Sequence, residues 1–284
     1  MIEIRSNNVR LLVNELGAEL EALYFNDINV LWTGDKSLWS SKAPILFPIV
    51  GGLKDNYYLY NNEKYTLEPH GFVKGLVFNV DYVDETSVTL SHIYNEETLK
   101  HYPFKYKLVV KYSVQFNRVL IEFDVHNLDD KEIYYSIGFH PGFSYIGLKE
   151  LVGNNVVLSN NSDKTTEVVF SPSYVLGFKE RNLNDLALNE LTDELIVKRT
   201  ICYKTGFNVS LKDINKLVFN TNMEYYAYWQ KGPEDNPKFI CVESWDGLPD
   251  CDDTNHCIEN KLGIKKLNIN STHNTNFEIK LEKE

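Results

Sequence analysis

The sequence predicts an all-β chain: a large antiparallel β-sandwich with few short helices, folded as a single domain over residues 1–284. Three observations predict it. Apolar residues recur with period two in many short runs. Turn-forming Asn, Asp and Gly residues separate those runs. Helical patterns are few and short. At 284 residues the chain could hold two ordinary domains. However, no Pro/Ser-rich linker, internal repeat or charge block marks a boundary, and β-sandwiches of this size fold as one unit. Hydrophobic residues at 43% and aromatics at 13% supply a sizeable core and argue against disorder.

Taken in chain order, Val9, Leu11 and Val13 alternate with polar residues and predict a first strand, and Asn26-Asp27 predicts a turn. Ala43 to Asn56, APILFPIVGGLKDN, reads as a buried apolar strand closed by glycines, with Asn61-Asn62 as the next turn. Val80 and Tyr82 pair in pattern with Val88 and Leu90. Glu96 to Tyr102 reads as a short helix stopped by Pro103, because the residue before a proline is pushed out of the helical region. Tyr106, Leu108, Val110, Tyr112 and Val114 make the longest alternating run, and Leu120 to Val125 repeats it before the Asn127 to Asp130 turn. A second helix is predicted within Leu183 to Glu194, and Phe277 to Leu281 closes the chain as a strand. Two packed antiparallel sheets accommodate such a pattern.

Composition excludes several function classes. A formal net charge of −11 argues against nucleic acid or an anionic membrane as the main partner. Four cysteines, Cys202, Cys241, Cys251 and Cys257, do not make a disulfide framework in a chain this long. Cys251 and Cys257 with His256 and Asp252 match no common zinc spacing, so no metal is expected. The N-terminal MIEIRSNNVRLLV lacks the pattern of a secretory signal, and no apolar run reaches ~18 residues, so neither export nor a spanning helix is expected. The expected compartment is the cytoplasm. The oligomeric state is open, with a homodimer allowed.

Three dispersed motifs carry the chemistry: HGF at His70 to Phe72, GFHPGF at Gly138 to Phe143, and CVESWDG at Cys241 to Gly247. Each sets one titratable side chain among glycines, aromatics or proline, surroundings that suit a rigid and partly dry pocket. His140 follows the strand-like EIYYSI, and Pro141 fixes the next φ. An imidazole held there can donate a proton to a ligand oxygen. Glu243 follows an apolar strand, and Trp245 could offer a face to a sugar ring. A carboxylate so placed has a raised pKa if buried, or is an ordinary surface Glu at a strand-to-turn transition. His70 is likewise either structural or part of a pocket. In the glycine segment, Gly51 and Gly52 either make a turn or let backbone approach a ligand, with Lys54 as a polar contact. The aromatic YYAYW at Tyr225 to Trp229 is core packing or a pocket wall.

Together, and in this order, the motifs resemble the aldose 1-epimerase (galactose mutarotase) family, in its compact bacterial LacX-like branch. The resemblance runs along essentially the whole chain. GAELEALYF at Gly17 to Phe25, LWTGDKSLWSSKAPILFPIVG at Leu31 to Gly51, HGF, YPF at Tyr102 to Phe104, IGFHPGF, CVESWDGLPD and NKLGIKKL at Asn260 to Leu267 follow in family order. It implies a galactose mutarotase-like supersandwich, free of cofactor and metal, that interconverts the α and β anomers of a small-molecule sugar. It further implies His140 as general acid, Glu243 as general base and His70 as the second pocket histidine. Asp193, in LTDELIV, resembles the family's substrate-binding Asp. Lys54, Lys74 and Trp245 complete the expected sugar-binding set.

The chain departs from the family pattern at three places. Gly52 stands where FPIVGR has Arg, Lys74 where HGFAR has Arg, and Glu243-Ser244-Trp245 where EPW is usual. A lysine is a point charge without arginine's fork, so the departures bear on which sugar is held. Two further readings stay beside the mutarotase. One is a non-catalytic or regulatory sugar-binding protein on the same fold, and the other is an enzyme acting on hexose phosphates. Glycoside cleavage is a third, weaker reading, because it usually needs a carboxylate pair and no second acidic motif accompanies Glu243.

Overall fold

The computed structural model describes residues 1–171, 174–182, 186–187, 200–206, 208–231 and 238–283. Among these residues the fold is predominantly antiparallel β-sheet with few short helices, as the alternating sequence pattern requires. A nine-stranded sheet runs in the order Leu186–Ala187, Val157–Asn160, Val209–Lys212, Asn215–Thr221, Thr272–Lys283, Arg118–Asn127, Tyr106–Gln115, Ser87–Ile93 and Asn79–Val83. The second large sheet runs Tyr174–Asn182, Lys164–Ser171, Ile201–Lys204, Tyr225–Trp229, Phe239–Asp246, Ile137–Phe139 and Ile45–Leu46, and Gly142–Ser144 also pairs with Phe239–Asp246. A four-stranded sheet, Ile2–Ser6 to Ile28–Asn29, is built from the N-terminal segment.

Aromatic side chains join the two large sheets. Phe123 and Phe277 of the nine-stranded sheet meet Phe139 of the other at ring centroid distances of 5.8 Å and 5.6 Å. Phe219 meets Phe143 at 5.0 Å. Rings at such distances and tilts add to the area they bury. The long hairpin of Tyr106–Gln115 and Arg118–Asn127 sends alternate residues inward: Tyr106, Leu108, Val110 and Tyr112 from one strand, and Val119, Ile121, Phe123 and Val125 from the other. The period-two reading holds here because one face of an antiparallel strand packs on the core and the other meets water.

The helix Glu96–His101 forms where expected. Asn95 caps it by accepting the Thr98 amide at 3.0 Å, and Thr98 Oγ1 accepts the Asn95 amide at 2.9 Å. The turns at Asn26-Asp27 and Asn61-Asn62 have φ values of 50° and 65°, and 50° and 63°, which Asn and Asp tolerate. The strand expected around Val80 and Tyr82 forms as Asn79–Val83 at the sheet edge, where a register shift between the two leaves them 42% and 55% exposed. A helix not foreseen, Tyr145–Leu151, follows the GFHPGF segment. Of the segment Leu183 to Glu194, Leu186–Ala187 is a short strand paired with Val157–Asn160, and the rest lies outside the described residues.

The strand Phe239–Asp246 is buried on both faces. Its even-numbered Ile240 and Val242 join the core between the sheets. Its odd-numbered Phe239, Cys241 and Trp245 join separate clusters on the opposite face, and Glu243 projects on that same side. The neighbouring Tyr225–Trp229 divides the same way, with Tyr226 and Tyr228 in the inter-sheet core and Trp229 among the outer aromatics. Position parity therefore decides which side chains are core and which are available to a ligand.

Candidate active site

A cavity of about 390 Å³ opens on that outer face and brings together residues from all three motifs. The volume falls in the range of small-molecule sites. His70, Lys74, His140, Glu243 and Trp245 all line it, with Trp39 and Trp229 as aromatic walls.

His140 directly follows the strand Ile137–Phe139, where Phe139 faces the core, so alternation turns the imidazole to the cavity. Its backbone amide donates to the Pro44 carbonyl at 3.1 Å. Its ring stands 5.0 Å from Trp39, 5.8 Å from Trp229 and 5.5 Å from His70, centroid to centroid. Its Nε2 is 3.3 Å from Glu243 Oε2. Glu243 and His140 are 1% and 7% exposed. Burial pushes the Glu243 carboxyl well above its ordinary pKa, opposed by the hydrogen bond from Trp245. Burial also pushes His140 well below its ordinary value, with neighbouring His70 adding to the shift. Each charge alone is costly here, whereas a carboxylate–imidazolium pair and a neutral pair both carry no net charge. Such a pair is placed to pass one proton between its members.

His70 is held by reciprocal bonds with the glycine segment. Its amide donates to the Gly51 carbonyl at 2.8 Å, and the Gly51 amide donates to His70 Nδ1 at 3.2 Å. With Nδ1 accepting, the ring is neutral and carries its proton on Nε2. Burial, then the nearby Lys74 charge, lowers its pKa to about 4. At neutral pH His70 is a hydrogen-bond donor and not a charged acid. Gly71 follows at φ +69°, and a Cβ there would stand 2.2 Å from the Phe47 carbonyl oxygen. That contact admits only glycine and pins HGF against the Pro48 segment.

Trp245 lines the cavity as expected, and the structure gives its indole a second contact. Its Nε1 donates to Glu243 Oε2 at 2.9 Å, leaving Oε1 buried without a protein partner. The indole thereby aims the carboxylate. Trp245→Phe keeps an aromatic ring, though a smaller one, and loses the N–H. We expect turnover to fall about tenfold, the scale of a hydrogen bond to a charged group, with KM nearly unchanged. Steady-state kinetics of the folded variant check this, and an equal change in both constants would contradict it.

The remaining expected site residues divide. Lys74 lines the cavity while its Nζ donates to the Pro69 carbonyl at 3.2 Å. Lys54 lies outside the cavity lining. Its ammonium bonds the Asp252 carbonyl and lies 3.5 Å from the Asp252 carboxylate, because the turn after Leu53 carries it outward. Asp193 lies outside the described residues. Sequence reading did not single out Trp39, which sits in the polar stretch GDKSLWSSK and is drawn in by stacking on Phe239 at 5.4 Å. A tryptophan in an otherwise polar loop was the available signal.

Gly52 also lines the cavity, and a Cβ built on it meets nothing within 4 Å. A Cβ is therefore accommodated there, and the backbone is not in the left-handed region that favours glycine. Gly52→Arg should raise affinity or turnover on at least one aldose by about ten- to a hundredfold, the worth of a charge-assisted hydrogen bond. Kinetics and calorimetric titration over a sugar panel measure it. Uniformly lower activity in a folded variant would mean that the arginine blocks the cavity.

Comparison with known proteins places the family and the fold. The family model described as aldose 1-epimerase matches residues 1–189. The plasmid-borne Protein LacX of Lactococcus lactis subsp. lactis is 25% identical over an alignment of 304 residues that covers 98% of each chain. A galactose mutarotase related enzyme from Lactobacillus acidophilus superposes with a TM-score of 0.89 at 26% identity, over 100% of this chain and 99% of that one. A galactose mutarotase-like protein from Lactobacillus casei ATCC 334 gives 0.87 at 26% identity, over 99% and 100%.

Proposed function

Since the chain belongs to the aldose 1-epimerase family, we propose that it interconverts the α and β anomers of a free aldose by acid/base ring opening. The observation that carries this reading is the buried His140–Glu243 pair, 3.3 Å apart on the cavity lining. The anomeric hydroxyl and the ring oxygen share one carbon, so a proton acceptor and a proton donor this close can address both.

In the direction of opening, the Glu243 carboxylate takes the proton of the anomeric hydroxyl. The His140 imidazolium gives its proton to the ring oxygen, the bond from the anomeric carbon to that oxygen breaks, and the aldehyde forms. Both groups are then neutral, the forms that burial favours. Rotation about the first carbon–carbon bond presents the other carbonyl face, and closure returns both protons. No net charge enters the cavity at any stage, which suits its buried floor. His70 donates from Nε2 to a sugar oxygen, and Trp39 and Trp229 pack on the apolar edges of the ring. Among the described residues that line the cavity, Glu243 is the one carboxylate, so cleavage by a carboxylate pair finds no support there.

Exchange-spectroscopy NMR at neutral pH tests the proposal directly. The purified protein should speed α-to-β exchange of glucose or galactose without added metal or nucleotide. A panel of pentoses and hexose 6-phosphates extends the assay, because Lys74 in the cavity lining could meet an anionic substituent. If no sugar in the panel exchanges faster than in buffer, the catalytic reading fails, and calorimetric titration then tests sugar binding without turnover.

A further inference from the structure

We infer that His140, Cys241 and Glu243 form a binding site for one thiophilic divalent cation, Zn²⁺ or its analogue Co²⁺, at the floor of the cavity. The three are brought together by strand geometry. Cys241 and Glu243 are two apart on Phe239–Asp246 and share a face, and Gly142, two residues past His140, pairs with Cys241 across the sheet. One potential ligand atom from each of the three residues lies within 4.8 Å of the other two. A tetrahedral zinc holds its ligand atoms about 3.3–3.7 Å apart, so the side chains need draw in by roughly 1 Å.

A second observation points independently to a ligand. Glu243 Oε1 and His140 Nδ1 are buried polar atoms without a protein hydrogen bond, although both residues are more than nine-tenths buried. Unsatisfied polar atoms in such surroundings are costly unless something supplies a partner. Charge balance favours a divalent ion. A thiolate and a carboxylate with a neutral imidazole sum to zero with one M²⁺, the state a dry site tolerates best. On binding, the cation displaces the Cys241 thiol proton, and the carboxyl proton where present, and these leave to solvent. Imidazole and thiolate select Zn²⁺ and similar ions over Mg²⁺ or Ca²⁺. His140 and Glu243 line the cavity, and Cys241 lies behind them among Trp32 and Phe239, so a cation held by all three would sit at the cavity floor.

The cation and the sugar compete for the same groups. Zn²⁺ therefore inhibits anomer exchange by occupying both proton carriers, a consequence that rests on the proposed function, whereas cation binding itself does not. The test uses purified protein stripped with chelator and titrated with Co²⁺. One equivalent per chain should bind and produce a thiolate-to-cobalt charge-transfer band, which Zn²⁺ then abolishes by displacement. Cys241→Ser should remove the band and weaken binding tenfold or more, while the Cys251→Ser/Cys257→Ser double variant keeps both. Glu243→Gln is the second arm, in case the buried hydroxyl that replaces the thiol unfolds the strand, and it should weaken Co²⁺ binding by a similar factor.

The proposal fails if no stoichiometric band forms. It fails equally if the band survives loss of Cys241 or disappears with Cys251 and Cys257. Binding with the expected band in a protein that exchanges no anomers would leave the cation site standing and remove the catalytic reading. Exchange that Zn²⁺ does not slow, in a protein that forms no band, would do the reverse.

Discussion

On the proposed mechanism, Glu243→Gln should cut anomer exchange by about 10² or more, the usual scale for a positioned general base, and His140→Asn should do the same by removing the acid. Each substitution keeps the approximate size and hydrogen-bonding capacity at a buried position, so sugar binding survives better than turnover. The two losses are not additive. A pair that passes one proton back and forth fails when either member is removed, so the double variant should be little worse than either single one. The pH profile of kcat/KM should fall on both sides. Acid adds a second proton and leaves no base, and alkali removes the shared proton and leaves no acid. His70→Asn acts differently, because a neutral donor to the sugar supports binding as well as turnover. Exchange NMR with calorimetric titration on folded variants separates these cases. Near-normal turnover in Glu243→Gln would move the chemistry to another part of the cavity.

Lys261→Met lowers stability by about 3–5 kcal/mol, the cost of stranding one member of a buried ion pair. Lys261 and Asp250 are each 3% exposed at the side chain, 3.6 Å apart, and the Lys261 ammonium also bonds the Leu248 carbonyl. Asp250 in turn accepts the Lys54 amide at 2.9 Å, and its own amide donates to the Gly52 carbonyl at 3.1 Å. The pair thus ties the glycine segment to the chain just beyond Glu243, on either side of the cavity. Urea unfolding should show a lower midpoint with an unchanged slope. The double change Lys261→Met/Asp250→Leu should recover part of the loss, because no buried charge is then left alone. A single-variant cost below about 1 kcal/mol would mean that water reaches Asp250.

The strands that were easiest to read are those with one wet face. Tyr106–Gln115 and Arg118–Asn127 announce themselves because burial and exposure alternate along them. Phe239–Asp246 carries a different signal, an apolar run, because both its faces are covered, and a run alone does not say which side chain faces which layer. At the sheet edge Val80 and Tyr82 keep the strand but stay exposed, whereas Val88 and Leu90 on the next strand are buried. Pro103 was enough to end the helix Glu96–His101, since proline acts on the residue before it, while the Asn95 cap at its start emerged from the structure.

The same division runs through the candidate site. Local sequence determined which residues were chemically able to act: His70, His140 and Glu243 stand among glycines, proline and aromatics, and those neighbours set the backbone around them. Tertiary structure alone decided that His140 Nε2 and Glu243 Oε2 stand 3.3 Å apart, that Trp245 holds the carboxylate by its indole N–H, and that Cys241 shares their face. It also turned Lys54 out to Asp252 and drew Trp39 in. The physical reason is range. Period, capping and turn preference are set by covalent neighbours within a few residues. The meeting of Gly142 with Cys241, and of Phe47 with Gly71, depends on strand pairing between distant segments, which the packing of whole sheets brings into register.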